Sequence, residues 1–184
     1  MRLSEFAAWR RLDRPGCDAA LLRSSDGGWL LKGAAAFDHE GGSASVAYQV
    51  EVDARWETRR GLISGFLGDM PIRHEIRRDS AGWRLNGLRV GGFEHLVDLD
   101  YGFTPATNVL QLSRIALKPG QRAEVPVAWF DLDSASLTEL PQRYERRSEA
   151  SYWYEAPTVP YQNLLEIARN GFVRSYPDLW RLVV

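Results

Sequence analysis

The sequence predicts an all-β protein: a single domain over residues 1–184, built on one large, strongly curved antiparallel sheet (a β-roll or partly open barrel) with few short helices. Three observations predict it. Apolar and polar residues alternate with a period of two in run after run, the signature of strands with one buried face. The 16 glycines and 9 prolines punctuate the chain between these runs, at the close spacing typical of many short strands joined by turns. Long stretches with helical periodicity are scarce.

Taken in order, residues 4–12 form the first expected strand, ended by Asp13-Arg-Pro-Gly16, a strong turn signal. Cys17 to Arg23 and Trp29 to Asp38 follow, separated by Ser24-Ser-Asp-Gly-Gly28. After Gly41-Gly42, the residues Val46, Tyr48, Val50 and Val52 alternate with Ala47, Gln49, Glu51 and Asp53, the cleanest strand pattern in the chain. Trp56 to Phe66 continues it. In Met70 to Arg78, Ile72, His74 and Ile76 share a face opposite Arg73, Glu75 and Arg77. Asp79-Ser-Ala-Gly82 leads into Trp83 to Leu85, and Asn86-Gly87 is a favoured two-residue hairpin loop because both residues tolerate positive φ. Lys118-Pro-Gly120 turns into a strand carrying Ala123, Val125, Val127 and Trp129, with Trp129 placed inside by the alternation. Ser136 to Leu140 is the one region allowed a helical turn. Tyr152-Trp-Tyr154 is another strand, and Leu165 to Tyr176 closes the chain as a hairpin about Asn170-Gly171.

The centre of the chain is Asp98 to Ile115, DLDYGFTPATNVLQLSRI. Val97, Leu99, Tyr101 and Phe103 alternate with Asp98, Asp100 and Gly102, which describes a strand with two carboxylates on its solvent face. Thr104-Pro105 breaks the ladder, and Val109 to Ile115 is expected to return as a second strand. Two carboxylates on one face have Cα atoms about 6.6–6.8 Å apart. Such a pair suits a glycosidase, whose carboxyl groups lie roughly 5–10 Å apart, or a D-x-D site for a hard cation. An acidic solvated face is the commoner origin of the pattern, and Asp98 is also placed to pair with Arg114.

Asp98-Leu-Asp100, Thr104-Pro-Ala-Thr-Asn108 and Leu110 to Ile115 together resemble the signature of the bacterial putative glycolipid-binding family, formerly a domain of unknown function. Tyr48 to Asp53 with Trp56-Glu-Thr-Arg59, Gly82 to Gly87, Gln142-Arg-Tyr144 and Gly171 to Pro177 resemble its other blocks, so the likeness runs over nearly the whole chain. It departs from the family pattern at His95-Leu96, where Gly-Cys is usual, and at Leu110-Gln-Leu-Ser-Arg114, which keeps one arginine of a pair. The resemblance implies a protein that holds an amphipathic small molecule, such as a glycolipid or fatty-acyl derivative, on the concave face of the sheet. The expected ligand-binding residues are Trp56, Arg59, Trp83, Asp98, Asp100, Arg114, Tyr144 and Trp153. Seven Trp, seven Tyr and seven Phe are a generous supply for such a face, although core packing is the default role of any one aromatic.

The remaining features exclude more than they assign. A net charge of −1 argues against a nucleic-acid partner. Arg59, Arg60, Arg73, Arg77 and Arg78 lie near Glu57 and Glu75, which reads as a salt-bridged face rather than a basic strip. The lone Cys17 makes no internal disulfide and reads as a small buried hydrophobe. No nucleophile elbow, phosphate loop, catalytic triad or metal-ligand spacing stands out, so the expected role is binding without catalysis, cofactor or metal. The alternative is a hydrolase of a carbohydrate or lipid conjugate working through Asp98 and Asp100. With no signal peptide and no run of the roughly 20 apolar residues a membrane span needs, the expected location is cytoplasmic, without stable membrane insertion. Oligomeric state is left open by these patterns.

Overall fold

The computed structural model describes residues 4–40 and 42–184. Its frame is an antiparallel sheet of 14 strands that does not close on itself. Six long strands lead: β1 (Ser4–Arg11), β2 (Gly16–Ser25), β3 (Gly28–His39), β4 (Gly42–Asp53), β5 (Thr58–Leu67) and β6 (Met70–Asp79). The short β7 (Gly82–Leu85) and β8 (Leu88–Val90) finish that wing of the sheet. The other wing runs outward from β1 through β17 (Trp180–Leu182), β16 (Val173–Tyr176), β15 (Tyr161–Ile167), β14 (Ser151–Ala156), β13 (Arg143–Ser148) and β10 (Arg122–Glu124). A second sheet of three strands, β9 (Leu99–Tyr101), β11 (Val127–Asp131) and β12 (Ser136–Leu140), lies against the inner face with the helix α1 (Asn108–Ile115). Pairing of β9 with β11 is parallel.

Most expected strands lie where the alternation puts them, and the hairpin loop Asn86-Gly87 has both φ angles positive, at 51° and 83°. Of the turn expected at Gly41-Gly42, Gly41 falls outside the described residues. The basic strip is salt-bridged: Arg60 and Arg77 hold Glu75, Arg78 holds Glu57, and Arg59 holds Asp53.

Four expectations are corrected. Val109 to Ile115 is helix, not strand. The strand ends at Tyr101, and Pro105 keeps the chain from resuming the ladder. Arg114 sits in the last turn of the helix, where a cation complements the carbonyl end; Ala116, at φ 44°, then terminates the helix by donating its N–H to the Leu112 carbonyl. The run expected from Ala123 to Trp129 is two strands, because Pro126 breaks the ladder and lets the chain cross from β10 in the large sheet to β11 in the small one. Trp129 consequently loses its inward place and is half-buried. Ser136 to Leu140 is strand β12. Cys17 is exposed, because the register of β2 turns its neighbour Asp18 inward instead.

Two packed cores result. The larger gathers inward residues of β1 to β7, such as Leu31, Val50 and Ile63, against Leu99, Tyr101 and Phe130 of the small sheet. Gly61 is required there, because a Cβ would stand 2.4 Å from the Tyr101 hydroxyl. The smaller core places Leu112, Val125, Val127 and Leu140 over Tyr144, Tyr152 and Tyr154 of the other wing.

Candidate functional site

The segment between β9 and α1 is the junction of the two wings, and its polar side chains all point inward. Thr104 donates its hydroxyl to Asp18 Oδ2 and accepts the Ala106 N–H at 3.0 Å, which shapes the turn around Pro105. Tyr48 donates to the same carboxylate at 2.9 Å. Asp18 is 2% exposed, and burial pushes its carboxyl up to about 6 despite these hydroxyl bonds. Thr107 donates to Asp100 Oδ1 at 2.5 Å and Gln142 Nε2 to Asp100 Oδ2 at 2.7 Å. Asn108 Nδ2 donates to the Tyr144 hydroxyl at 2.9 Å, and that hydroxyl faces the carbonyl oxygens of Gln142 (3.1 Å) and Gln111 (3.3 Å). Burial raises the Asp100 carboxyl too, and Nε2 of the wholly buried Gln111 has no partner among the described residues. A buried, connected polar network of this kind fixes one arrangement of the backbone around it.

Above this junction lies a cleft of about 270 Å³. Asp100, Thr104 and Asn108 form its polar floor, and Tyr154, Tyr161 and Tyr176 form one wall. Trp180, the cross-strand neighbour of Tyr176, and Trp129 of the small sheet also line it, with Leu140, Val159 and Leu179 completing an otherwise apolar lining. The tyrosine rings stand tilted to one another, with centroids 5.1 Å apart for Tyr161 and Tyr176 and 6.1 Å for Tyr154 and Tyr161. Tyr161 is tethered by its hydroxyl to the Pro177 carbonyl at 2.7 Å. Trp129 lies directly on the backbone of Gly102: a Cβ there would meet its indole at 2.7 Å.

The eight expected ligand residues do not converge on this cleft. Asp100 lines it, and Tyr144 lies beneath it in the Asn108–Gln142 network. Asp98 is 2% exposed and held by Arg114 at 2.6 Å from Nη2 and 2.9 Å from Nε, so the anticipated Asp98–Arg114 pair is present and reaches across from the helix. The acidic pair therefore has no solvent face. Burial raises the Asp98 carboxyl, and the guanidinium opposes that rise. Trp83 has no exposed surface and donates its indole N–H to the Leu96 carbonyl at 3.1 Å, deep in the larger core. Trp56, at φ 66°, caps a turn and stacks on Trp29 with centroids 4.7 Å apart, while Arg59 ion-pairs with Asp53 at the base of that turn. Trp153 points to the outer face of β14, bonded to Glu155 at 2.8 Å. Among the described residues no group of His, Cys, Asp and Glu is arranged to hold a metal ion, and no helix is long and apolar enough to cross a membrane.

The cleft residues that sequence reasoning missed are Tyr154, Tyr161, Tyr176, Trp129 and Trp180. One signal was available: five of the seven tyrosines lie at or beyond residue 144, on strands of a single wing.

Comparison with known proteins agrees with the fold. The family model described as putative glycolipid-binding matches residues 6–182. A crystal structure of a DUF1089 family protein from Pseudomonas aeruginosa superposes with a TM-score of 0.78 at 23% identity, over 90% of this chain and 91% of that one. Comparison with curated proteins finds no match.

Proposed function

We propose that this chain, which belongs to the putative glycolipid-binding family, is a non-catalytic binding protein for an amphipathic small molecule, held in the Tyr/Trp cleft on the inner side of the sheet. The observation that carries the reading is the cleft itself: aromatic and aliphatic walls over a floor of one carboxylate, one amide and one hydroxyl. Ligand sites are mostly apolar concavities with a few convergent polar groups, and about 270 Å³ lies near the small end of their range. A cleft of that size takes one end of a glycolipid or acyl conjugate and leaves the rest outside. Binding without chemistry is supported by the acids nearby. Asp98 is neutralised by Arg114 and does not line the cleft, and both oxygens of Asp100 already accept hydrogen bonds. The hydrolase alternative, which needs both carboxylates turned toward one bond, draws support from neither.

Native mass spectrometry of the purified protein, followed by solvent extraction, tests the reading. An amphiphile should co-purify, and Val159→Trp, which fills the half-open rim of the cleft without touching the buried floor, should remove it while the melting temperature stays unchanged. If wild-type protein carries no amphiphile and takes up none on addition of alkyl glycosides, the reading fails.

A further inference from the structure

Beside the cleft lies a second hollow of about 180 Å³ with different chemistry. Arg11, Arg14, His39, Asp131 and Asp133 face it over a base of Phe37 and Phe103. The two cavities share one partition, made of Gly102 and the Trp129 indole. Arg11 reinforces the same boundary, since its guanidinium is sandwiched between Phe37 of the second hollow and Trp180 of the cleft, 4.9 Å from each ring centre.

We infer that the two cavities are one bipartite site, with the apolar end of the ligand in the tyrosine-walled cleft and a neutral, hydroxyl-rich ring in the charged hollow, stacked against Trp129. This rests on the binding role proposed above and adds which end of the ligand goes where. The choice of a neutral polyhydroxyl head follows from how the charges are spent. Arg11 and Arg14 share one carboxylate, Asp13, at 2.9 Å and 3.2 Å, and with Asp131 and Asp133 of the lining the carboxylates outnumber the guanidinium groups. His39 Nε2 meets Asp133 Oδ1 at 2.6 Å. Asp131 is occupied by Ser134. The hollow thus offers no surplus cation for a phosphate or sulfate, and it does offer donors and acceptors side by side, the pattern that vicinal hydroxyls satisfy. Asp133 keeps its second oxygen outside the His39 contact, and its side chain is 72% exposed. The indole supplies an apolar face for the C–H side of a sugar ring, and only a glycine at 102 lets it lie flat between the two hollows.

Calorimetric titration with octyl β-glucoside below its micellar concentration, with 1-octanol and with octyl phosphate tests the assignment. The glucoside should bind more tightly than either of the others. Asp133→Asn should weaken it by about tenfold, the worth of one hydrogen bond to a charged group, and leave octanol within about twofold. Trp129→Ala should weaken all three. A glucoside affinity indifferent to Asp133→Asn, or octyl phosphate as the tightest of the three, overturns the bipartite site while leaving an amphiphile-binding cleft. Failure of all three probes to bind removes the binding role itself and the bipartite site with it.

Discussion

Under β2 to β6 the inner face of the sheet is mainly aliphatic, with Leu31, Val46, Val50 and Ile63 sealed beneath Tyr101 and Phe130 and Tyr48 as its one tyrosine. Under β13 to β16 the same face is tyrosine, with Tyr144, Tyr152 and Tyr154 buried and Tyr161 and Tyr176 half-buried, and there a cleft stands open. The two wings share one sheet, so curvature alone does not make the cavity. Aliphatic groups close on one another in any orientation and pack to near-crystalline density. A buried tyrosine must also place its hydroxyl on a partner, as Tyr144 does with Asn108 and Gln142 and Tyr161 with Pro177. The rings stand at interplanar angles from 44° to 85° to one another, tilted or edge-on, instead of collapsing flat. The filled wing is closed, and the tethered wing holds the open cleft proposed above as the binding site.

The sharpest way to break this contrast uses one tryptophan from each side. Trp83 is fully buried in the filled wing, so Trp83→Ala should cost about 3–5 kcal/mol in chemical denaturation, the usual range for truncating a large core aromatic. Trp129 lines the cleft, and Trp129→Ala should cost less than about 1.5 kcal/mol, because the side chain is only half-buried. Equal losses for the two variants would mean that the cleft is filled in solution and the contrast is false.

A smaller effect, of opposite sign to the usual carboxylate, comes from Asp18, an acid buried beneath the filled wing. Asp18 has hydroxyl partners and no cation beside it, and its carboxyl is raised from 3.8 to about 6. The native state therefore holds a proton there that the unfolded chain has lost. Between pH 4 and 6 folding stability should fall as pH rises, by about 2–3 kcal/mol from this group, and level off above pH 6. Asp98 and Asp100, also raised, bend the total curve the same way. The readout is accordingly the wild-type curve minus that of Asp18→Asn, which should carry the slope. A difference independent of pH would show Asp18 to be solvated or paired.

How much of this was legible in the sequence differs between the wings for physical reasons. In the filled wing, alternation alone located β1 to β6, because each long strand has one apolar and one polar side, and the Asn86-Gly87 loop announced itself by its φ requirements. The exceptions were Cys17 and Asp18, whose register seats the carboxylate inward, against what composition suggests for either residue. In the tethered wing, periodicity was a poor guide. The apolar run after Asn108 suits strand or helix equally, and what made it helix was the contact of Arg114 with Asp98 and of Asn108 with Tyr144. Trp129 was misplaced because Pro126 moves the chain from one sheet to the other in mid-pattern. The cleft's walls come from β11 and β12 of the small sheet and from β14 to β17 of the large one, and long-range assembly of that kind leaves no local spacing to read. Only the crowding of tyrosines toward the C-terminal end gave notice.

The smallest expected effect sits at the seam of the two wings. Asn108 is 3% exposed and begins the helix, and its amide binds the Tyr144 hydroxyl while it also borders the cleft floor. It therefore belongs to the scaffold and to the mouth at once, and one variant cannot separate the two roles. Two can. Asn108→Ala removes a donor from a buried hydroxyl and should lower stability by about 1–2 kcal/mol. It should also weaken octyl glucoside binding, because a floor amide is lost. Tyr144→Phe breaks the same hydrogen bond from beneath the cleft, leaving its rings and floor in place. It should lower stability by a similar amount and leave binding unchanged. The double variant should lose less than the sum of the two, since each single change already removes the bond they share. If Asn108→Ala melts like wild type, the amide is no part of the scaffold; if both variants weaken binding equally, the network rather than the floor contact governs the cleft.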